Sequence, residues 1–131
     1  MKVKKEVLVV EDDPEINQLV GAYVQYAGYR YRPALDGASG LRAAREHNPS
    51  LIILDIMLPD LDGFEVCMRL RNDHSTRHIP VVLLTALDRD EHRQSGRDCG
   101  VAAYMTKPFD PEDLLRTVQQ NIGPNGDKPA S

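Results

Sequence analysis

The sequence contains no tryptophan and few other aromatic residues. Two Phe and five Tyr occur among its 131 residues, so a hydrophobic core has to be built mostly from aliphatic side chains. The length is that of a single domain, since domains are most often about 100–150 residues long. With 41% hydrophobic and 27% charged residues, the composition is that of an ordinary globular protein.

Basic residues are outnumbered by acidic ones. The 16 Lys and Arg residues against 20 Asp and Glu residues give a net charge of −4. Nucleic-acid binding depends on clustered Lys and Arg side chains that neutralise phosphates. The basic cluster in this sequence is confined to Lys2, Lys4 and Lys5. We therefore expect no direct contact with nucleic acid.

Closely spaced cysteines and long apolar runs are also missing. Cys67 and Cys99 form no CxxC motif, which excludes a zinc ribbon or a disulfide framework and favours two buried, reduced thiols. The longest aliphatic runs, such as residues 7–10 and 51–54, are too short for a membrane span or a signal-peptide core. We predict a soluble, cytoplasmic protein that does not contact a membrane.

Short aliphatic runs predict the strands. Residues 7–10, 51–54 and 81–84 are continuous aliphatic segments, which is typical of strands covered on both faces in a parallel sheet. Weaker patterns at 29–35 and 101–105 predict a second and a fifth strand, nearer the edges of the sheet.

Helical patterns occupy the intervals between the strands. Asp13-Pro14-Glu15 is a helix start with a capping acid and a Pro, and the apolar spacing that follows, which includes Leu19, continues to Ala27. Further helices are predicted at 38–46, 64–71 and 111–122, and a polar fourth helix at 88–98. Strand–helix alternation repeated five times predicts an α/β fold with a single doubly wound parallel sheet. We expect a domain at 1–123 and, at 124–131, a flexible tail or the start of a linker.

Chemically active residues follow the predicted strands. They are Glu11 and Asp12 after the first strand, Asp55 after the third, Thr85 after the fourth and Lys107 after the fifth. In doubly wound sheets, ligands bind at the carboxyl ends of the strands. Two carboxylates about 5 Å apart repel by about 3 kcal/mol at an effective dielectric of 20, so a cation or a raised pKa is needed. Oxygen ligands and a shared phosphate favour Mg²⁺, with an Asp as the nucleophile for a phosphoryl group.

Four segments together carry a resemblance to a known family. Residues 7–14 (VLVVEDDP), 51–59 (LDIMLP at their end), 82–86 (VLLTA) and 104–109 (YMTKPF) closely resemble receiver domains of bacterial two-component response regulators, and the resemblance covers about residues 5–122. It implies a flavodoxin-like fold with five helices and the strand order 2-1-3-4-5.

The resemblance also implies roles for the acidic residues. Asp55 is the expected phosphoacceptor. Asp12 binds Mg²⁺ directly, Glu11 helps through water, and the main-chain carbonyl of Met57 completes the protein ligands. Mn²⁺ can substitute for Mg²⁺.

A switch is implied by the same resemblance. Lys107 pairs with the phosphoryl group, and the Lys107–Pro108 peptide is expected to be cis. Thr85 and Tyr104 form a switch pair, in which the hydroxyl moves toward the phosphoryl group and the ring turns inward. The fourth helix, the fifth strand and the fifth helix form the expected output face.

The expected partners follow from this interpretation. A sensor histidine kinase or a phosphotransfer protein supplies the phosphoryl group, and a downstream protein or a missing output domain receives the signal. A phosphorylation-dependent homodimer is compatible with it. The protein is expected to catalyse only its own phosphorylation and dephosphorylation, not to act as an enzyme on other substrates.

Two other functions remain as alternatives. One is a binding module that retains the receiver fold without phosphorylation, although every pocket residue is present. The other is an aspartyl phosphatase of the haloacid-dehalogenase type. Such enzymes carry an Asp-x-Asp motif, in which the second Asp acts as general acid. Met57 occupies the position of that second Asp, which disfavours the phosphatase.

Overall fold

A computed structural model describes residues 4–85 and 99–123. The strands are β1 (Glu6–Val10), β2 (Arg30–Ala34), β3 (Leu51–Asp55), β4 (Val81–Thr85) and β5 (Ala103–Thr106). The described helices are α1 (Pro14–Tyr26), α2 (Gly37–His47), α3 (Gly63–Arg71) and α4 (Pro111–Ile122). The helix predicted at 88–98 and the tail predicted at 124–131 lie outside the described residues.

The five strands form one parallel sheet in the order β2-β1-β3-β4-β5. The predicted doubly wound α/β fold and its strand order are therefore confirmed, and the second and fifth strands lie at the edges as expected. Because the strand order reverses between β1 and β3, the crevice where such folds bind ligands lies at the carboxyl ends of these two strands. We call this end of the sheet the carboxyl edge and the opposite end the amino edge.

Hydrophobic side chains cover both faces of the sheet. Successive residues of a strand point to opposite faces, so Leu8 and Ile52 pack with α2 and α3, whereas Val9 and Ile53 pack with α1 and α4. All five residues of β3 and all five of β4 are buried. Burial on both faces is the reason that these strands are continuously aliphatic in the sequence.

An aspartate precedes the first turn of every described helix. The capping residues of α1 to α4 are Asp13, Asp36, Asp62 and Asp110, and each side chain accepts a hydrogen bond from a backbone N–H of the turn that follows. A cap of this kind stabilises a helix by about 0.5–2 kcal/mol. Because each helix follows the carboxyl end of a strand, the positive ends of the helix dipoles point toward the carboxyl edge.

Several element boundaries differ from the sequence prediction. The second strand begins at Arg30 rather than at 29, because the Tyr29 amide donates to the Val24 carbonyl at 3.0 Å and closes the end of α1. The fifth strand is Ala103–Thr106 rather than 101–105.

Leu19, part of the apolar pattern of α1, is 47% exposed.

The two cysteines are buried thiols, as predicted. The Cys67 thiol donates to the Cys99 carbonyl oxygen at 3.6 Å, and burial raises the pKa of the Cys67 thiol. Of the helices that the structure describes, none is long and apolar enough to cross a bilayer.

Candidate functional site

Neighbouring strand ends bring the predicted site residues together. Asp55 ends β3 and Thr85 ends β4, while Glu11 follows β1 directly and Lys107 follows β5 directly. The strand register pairs Asp55 with Leu84 and Thr85 with Thr106. The sheet therefore places all of these residues at the carboxyl edge.

Three carboxylates form an acidic cluster there. Glu11, Asp12 and Asp55 each offer an oxygen atom, and these oxygens lie within 4.8 Å of one another. Glu11 and Asp55 are 1% and 4% exposed, whereas Asp12 is exposed. Buried carboxylates are costly unless they are paired or bind a cation, so this cluster needs positive charge. We call it, together with Lys107, the acidic pocket.

Lys107 supplies part of this charge from the other side of the pocket. Its Nζ atom lies 2.5 Å from Glu11 Oε1 and 2.9 Å from Asp55 Oδ2. Burial by itself lowers the pKa of the Lys107 ammonium, but the hydrogen bonds to Glu11 and Asp55 outweigh this effect and the pKa is raised. The ammonium therefore stays protonated between the two buried carboxylates.

The backbone around Lys107 places this side chain. The Lys107 amide donates to the Thr85 carbonyl at 2.8 Å, which ties the residue after β5 to the end of β4. The Lys107–Pro108 peptide is cis, so this prediction is confirmed.

The pKa of Asp12 is raised above its ordinary value. A hydrogen bond shared with the Glu11 carboxyl group raises the pKa of Asp12, and burial and the negative charge of Glu11 raise it further. One ammonium does not neutralise three ionised carboxyl groups, and the negative charge of Glu11 is one of the causes of the raised pKa of Asp12.

The loop between β3 and α3 closes the pocket beside Asp55. The Met57 amide donates to Asp55 Oδ1 at 3.1 Å, and an isolated antiparallel bridge pairs Met57 with Asp62. The Met57 side chain is 69% exposed, so its main chain, rather than its side chain, is the part that the loop holds against the site.

The two predicted switch residues occupy neighbouring strands. Thr85 is 5% exposed at the end of β4. Tyr104 is partly buried and packs against the hydrophobic cluster on the α2 and α3 side of the sheet, where the register pairs it with Leu83. Their roles in switching stay predictions.

Asn17 supports the pocket from α1 and was missed in the sequence. Its side chain is 1% exposed, and Nδ2 lies within hydrogen-bond distance of the carbonyls of Val9, Glu11 and Ala34, at 3.1, 3.0 and 3.0 Å. Asn17 Oδ1 accepts a hydrogen bond from the Tyr31 hydroxyl. Asn17 thus joins the ends of β1 and β2 beneath Glu11. A polar residue in an amphipathic helix is ordinarily expected to face solvent. The sequence therefore gave no sign that the Asn17 side chain is buried.

The donor set of the acidic pocket fits a hard divalent cation. Among the described residues, the side-chain atoms that could bind a metal in this pocket are the oxygens of its three carboxyl groups, and Mg²⁺ prefers oxygen ligands and one or two carboxylates. The described part of the pocket holds neither His nor Cys, so it lacks the nitrogen and sulfur ligands typical of a zinc site.

The sequence and the fold match those of a known family. The family model of the response regulator receiver domain matches residues 7–119. The chain belongs to the response regulator receiver domain family of two-component systems.

Individual relatives agree with this assignment. RpaA of Synechocystis sp., a DNA-binding dual master transcriptional regulator, is 46% identical over 113 residues, which are 86% of this chain and 47% of RpaA. The chain therefore spans about half the length of this relative. Among solved structures, the chemotaxis protein CheY4 of Vibrio cholerae matches with a TM-score of 0.87 and 33% identity over 92% of this chain and 100% of CheY4.

A further solved structure is that of a receiver domain with a bound metal. The receiver domain of the sensor histidine kinase PA1611 from Pseudomonas aeruginosa, with a magnesium ion in its active site cleft, matches with a TM-score of 0.85 and 31% identity. The match covers 92% of this chain and 99% of that domain.

Proposed function

We propose that this receiver domain accepts a phosphoryl group on Asp55 from a sensor histidine kinase or a phosphotransfer protein. The observation that carries the proposal is the position of the Lys107 ammonium, 2.9 Å from Asp55 Oδ2, within a cluster of three carboxyl groups. A nucleophilic carboxylate, a fixed positive charge and a set of metal-binding oxygens are the parts that phosphoryl transfer requires.

A divalent cation belongs in the acidic pocket under this proposal. Asp12, Asp55 and the main-chain carbonyl of Met57 would hold Mg²⁺, with Glu11 helping through water, and Mn²⁺ can replace it. The magnesium ion in the cleft of the PA1611 receiver domain supports this assignment. When bound, the cation neutralises negative charge on the phosphoryl oxygens and the carboxylates.

The residues of the chain supply the remaining chemistry. An Asp55 carboxylate oxygen forms a bond to phosphorus while the bond between phosphorus and the donor's leaving atom breaks, and the leaving group departs with that electron pair. Lys107 neutralises charge on a phosphoryl oxygen, and the Thr85 hydroxyl donates a hydrogen bond to another. The domain thereby catalyses its own phosphorylation and does not turn over other substrates.

An apolar patch beside Lys107 suits the arrival of the donor protein. A cavity of about 400 Å³ is lined by the following residues: Ile16, Leu19, Tyr23, Lys107, Pro108, Phe109 and Pro111. The exposure of Leu19 is explained if a partner covers it, because exposed apolar patches mark interaction surfaces. The patch adjoins the pocket, so a bound donor would present its phosphoryl group to Asp55.

Phosphorylation of Asp55 would be transmitted to partners through β4 and β5. Phosphorylation adds about −1.5 to −2 charges at neutral pH, which draws Thr85 toward the pocket and lets Tyr104 turn inward. The output face would comprise β5, α4 and the helix predicted at 88–98, which lies outside the described residues, and it would act on a downstream protein, an output domain or a second copy of the domain. RpaA is named as a DNA-binding regulator. In a longer protein of that kind, DNA binding would reside in the output domain and not in an acidic receiver domain such as this one. The expected location is the cytoplasm.

The test is phosphorylation by a small donor. The protein is incubated with acetyl phosphate and Mg²⁺ and its intact mass is measured beside Asp55→Ala and a control, Asp113→Ala, whose carboxylate pairs with Arg116 on the surface. We expect one phosphoryl adduct in the wild type and the control, and none in Asp55→Ala or without Mg²⁺. An absent adduct in the wild type, with no binding of beryllofluoride, would favour the alternative, a binding module without phosphorylation.

A further inference from the structure

The loop between β3 and α3 carries the Met57 carbonyl, and main-chain contacts join the two ends of the loop. The Gly63 amide donates to the Ile56 carbonyl at 2.8 Å, and the bridge between Met57 and Asp62 closes the loop. A Cβ atom on Gly63 would lie 2.6 Å from the Asp55 carbonyl oxygen. The base therefore packs directly on the end of β3, and only glycine allows this approach.

The tip of the loop is held by a different element. Asp60 Oδ1 accepts a hydrogen bond from the Gly37 amide at 2.7 Å, and Asp60 Oδ2 accepts one from the Ala38 amide at 2.9 Å. Both amides belong to the first turn of α2. These two hydrogen bonds lower the pKa of Asp60, because they stabilise its ionised form.

Close packing reinforces the contact between loop and helix. A Cβ atom on Gly37 would lie 2.9 Å from the Leu61 Cβ atom, so the loop fits against the start of α2 without space for a side chain. The helix also has its own cap, Asp36, whose side chain accepts from the Ser39 amide at 2.7 Å. Asp60 therefore adds to a helix that is already capped, and its distinct effect is on the loop.

We propose that Asp60 is a positioning residue for the divalent cation. By holding the tip of the loop on α2, it keeps the Met57 carbonyl at the place from which that carbonyl binds metal. This inference rests on the proposed function and adds to it a residue that does not touch the metal, the donor or Asp55. Because ligands that are held in place bind metal more tightly than ligands on a loose loop, losing Asp60 weakens Mg²⁺ binding. It leaves the reaction at saturating Mg²⁺ unchanged.

The chain offers a matched pair of variants for the test. Asp60→Ala removes the cap that comes from the loop, and Asp36→Ala removes the cap that belongs to the helix. Both variants remove a cap from α2, but only Asp60→Ala also releases the tip of the loop from the helix. Mg²⁺ binding is measured by amide chemical shifts during a Mg²⁺ titration, and the phosphorylation rate with acetyl phosphate is measured as Mg²⁺ increases, at a temperature where both variants are folded.

We expect Asp60→Ala to raise the Mg²⁺ dissociation constant and the half-saturating Mg²⁺ concentration by about tenfold, with the maximal rate unchanged. Asp60→Asn, which keeps one acceptor oxygen, should lie between Asp60→Ala and the wild type, and Asp36→Ala should retain the wild-type Mg²⁺ affinity. Equal Mg²⁺ affinities for Asp60→Ala and Asp36→Ala would overturn the inference while leaving the proposed function intact. A wild type that binds no Mg²⁺ would overturn the proposed function and this inference with it.

Discussion

The two edges of the sheet use polar side chains in opposite ways. At the amino edge, donors meet main-chain carbonyls: Arg71 donates to the carbonyls of Arg77, Ile79 and Cys99 at 2.7, 3.0 and 3.1 Å, and the Tyr29 hydroxyl donates to that of Gly123 at 2.7 Å. At the carboxyl edge, three carboxyl groups lie together, and the Lys107 ammonium pairs with two of them.

The difference indicates what each edge contributes. Hydrogen bonds from these side chains to main-chain carbonyls stabilise the fold, because a buried carbonyl needs a hydrogen-bond donor. A cluster of like charges destabilises the fold until a cation binds. The polar side chains of the amino edge therefore stabilise the fold, whereas the carboxyl groups of the carboxyl edge reduce stability and provide the negative charge that a cation needs for binding.

The largest expected effect is that of removing Lys107. Lys107→Ala should slow the phosphorylation of Asp55 by acetyl phosphate at least about 100-fold at saturating Mg²⁺, because a fixed positive charge at the reacting oxygens is lost. The measurement is the rate of adduct formation by intact mass.

The matched control is a lysine of the amino edge. Lys5 donates to the Ile122 carbonyl, so Lys5→Ala should lower stability and keep the wild-type rate. If both lysine variants were slowed equally, the contrast between the edges would be lost.

A smaller effect, on stability, is expected from Arg71. Arg71→Ala should lower the free energy of unfolding by about 2 kcal/mol, since it removes several charge-assisted hydrogen bonds to main-chain carbonyls, and should leave the phosphoryl adduct intact. Urea unfolding is the measurement. Arg69→Ala on the same helix is the control, because Arg69 pairs with Glu65 on the surface and should cost less than about 0.5 kcal/mol. Equal losses for the two variants would contradict the stabilising role of the amino edge.

The smallest expected difference is in the acid titration of two aspartates. A hydrogen bond shared with Glu11 raises the pKa of Asp12 above the ordinary 3.8, whereas hydrogen bonds from the side chain and amide of Ser75 lower the pKa of Asp73, at the amino edge, below 3.8. Carboxyl carbon NMR should therefore show Asp73 ionising at lower pH than Asp12.

The two shifts have opposite consequences for stability. Asp73 stabilises the fold at neutral pH, and this contribution is lost as the pH falls through its lowered pKa. The contribution of Asp12 falls as the pH rises from the ordinary value through its raised pKa. The reverse order of titration would show that the edges do not differ in this way.

The sequence predicted the fold and the carboxyl edge for a physical reason. Strands buried on both faces are continuously aliphatic, and the carboxyl ends of parallel strands share one edge of the sheet. The residues that follow each aliphatic run, such as Asp55 and Lys107, could therefore be placed together from the sequence alone. The order of the strands came from the resemblance to a family.

The supporting contacts could not be predicted in the same way. Asn17 donates hydrogen bonds to carbonyls on β1 and at the end of β2, and Arg71 donates to carbonyls of residues that follow α3. Asp60 accepts a hydrogen bond from an amide at the start of α2. Each of these side chains is polar and lies in a helix or loop, where sequence patterns predict exposure to solvent. Their partners are main-chain groups, which carry no signature in the sequence.

The central claim is that the carboxyl groups of the acidic pocket repel one another until a divalent cation binds. Asp12→Asn tests this claim most directly. Unfolding free energies of this variant and of the wild type are measured as Mg²⁺ is added. Without Mg²⁺ we expect the variant to be the more stable by about 1 kcal/mol, because like charges about 5 Å apart repel by about 1–3 kcal/mol. With saturating Mg²⁺ the wild type gains stability by binding the ion and becomes the more stable of the two. A wild type that is already the more stable without Mg²⁺, or that gains no stability when Mg²⁺ is added, would contradict the account.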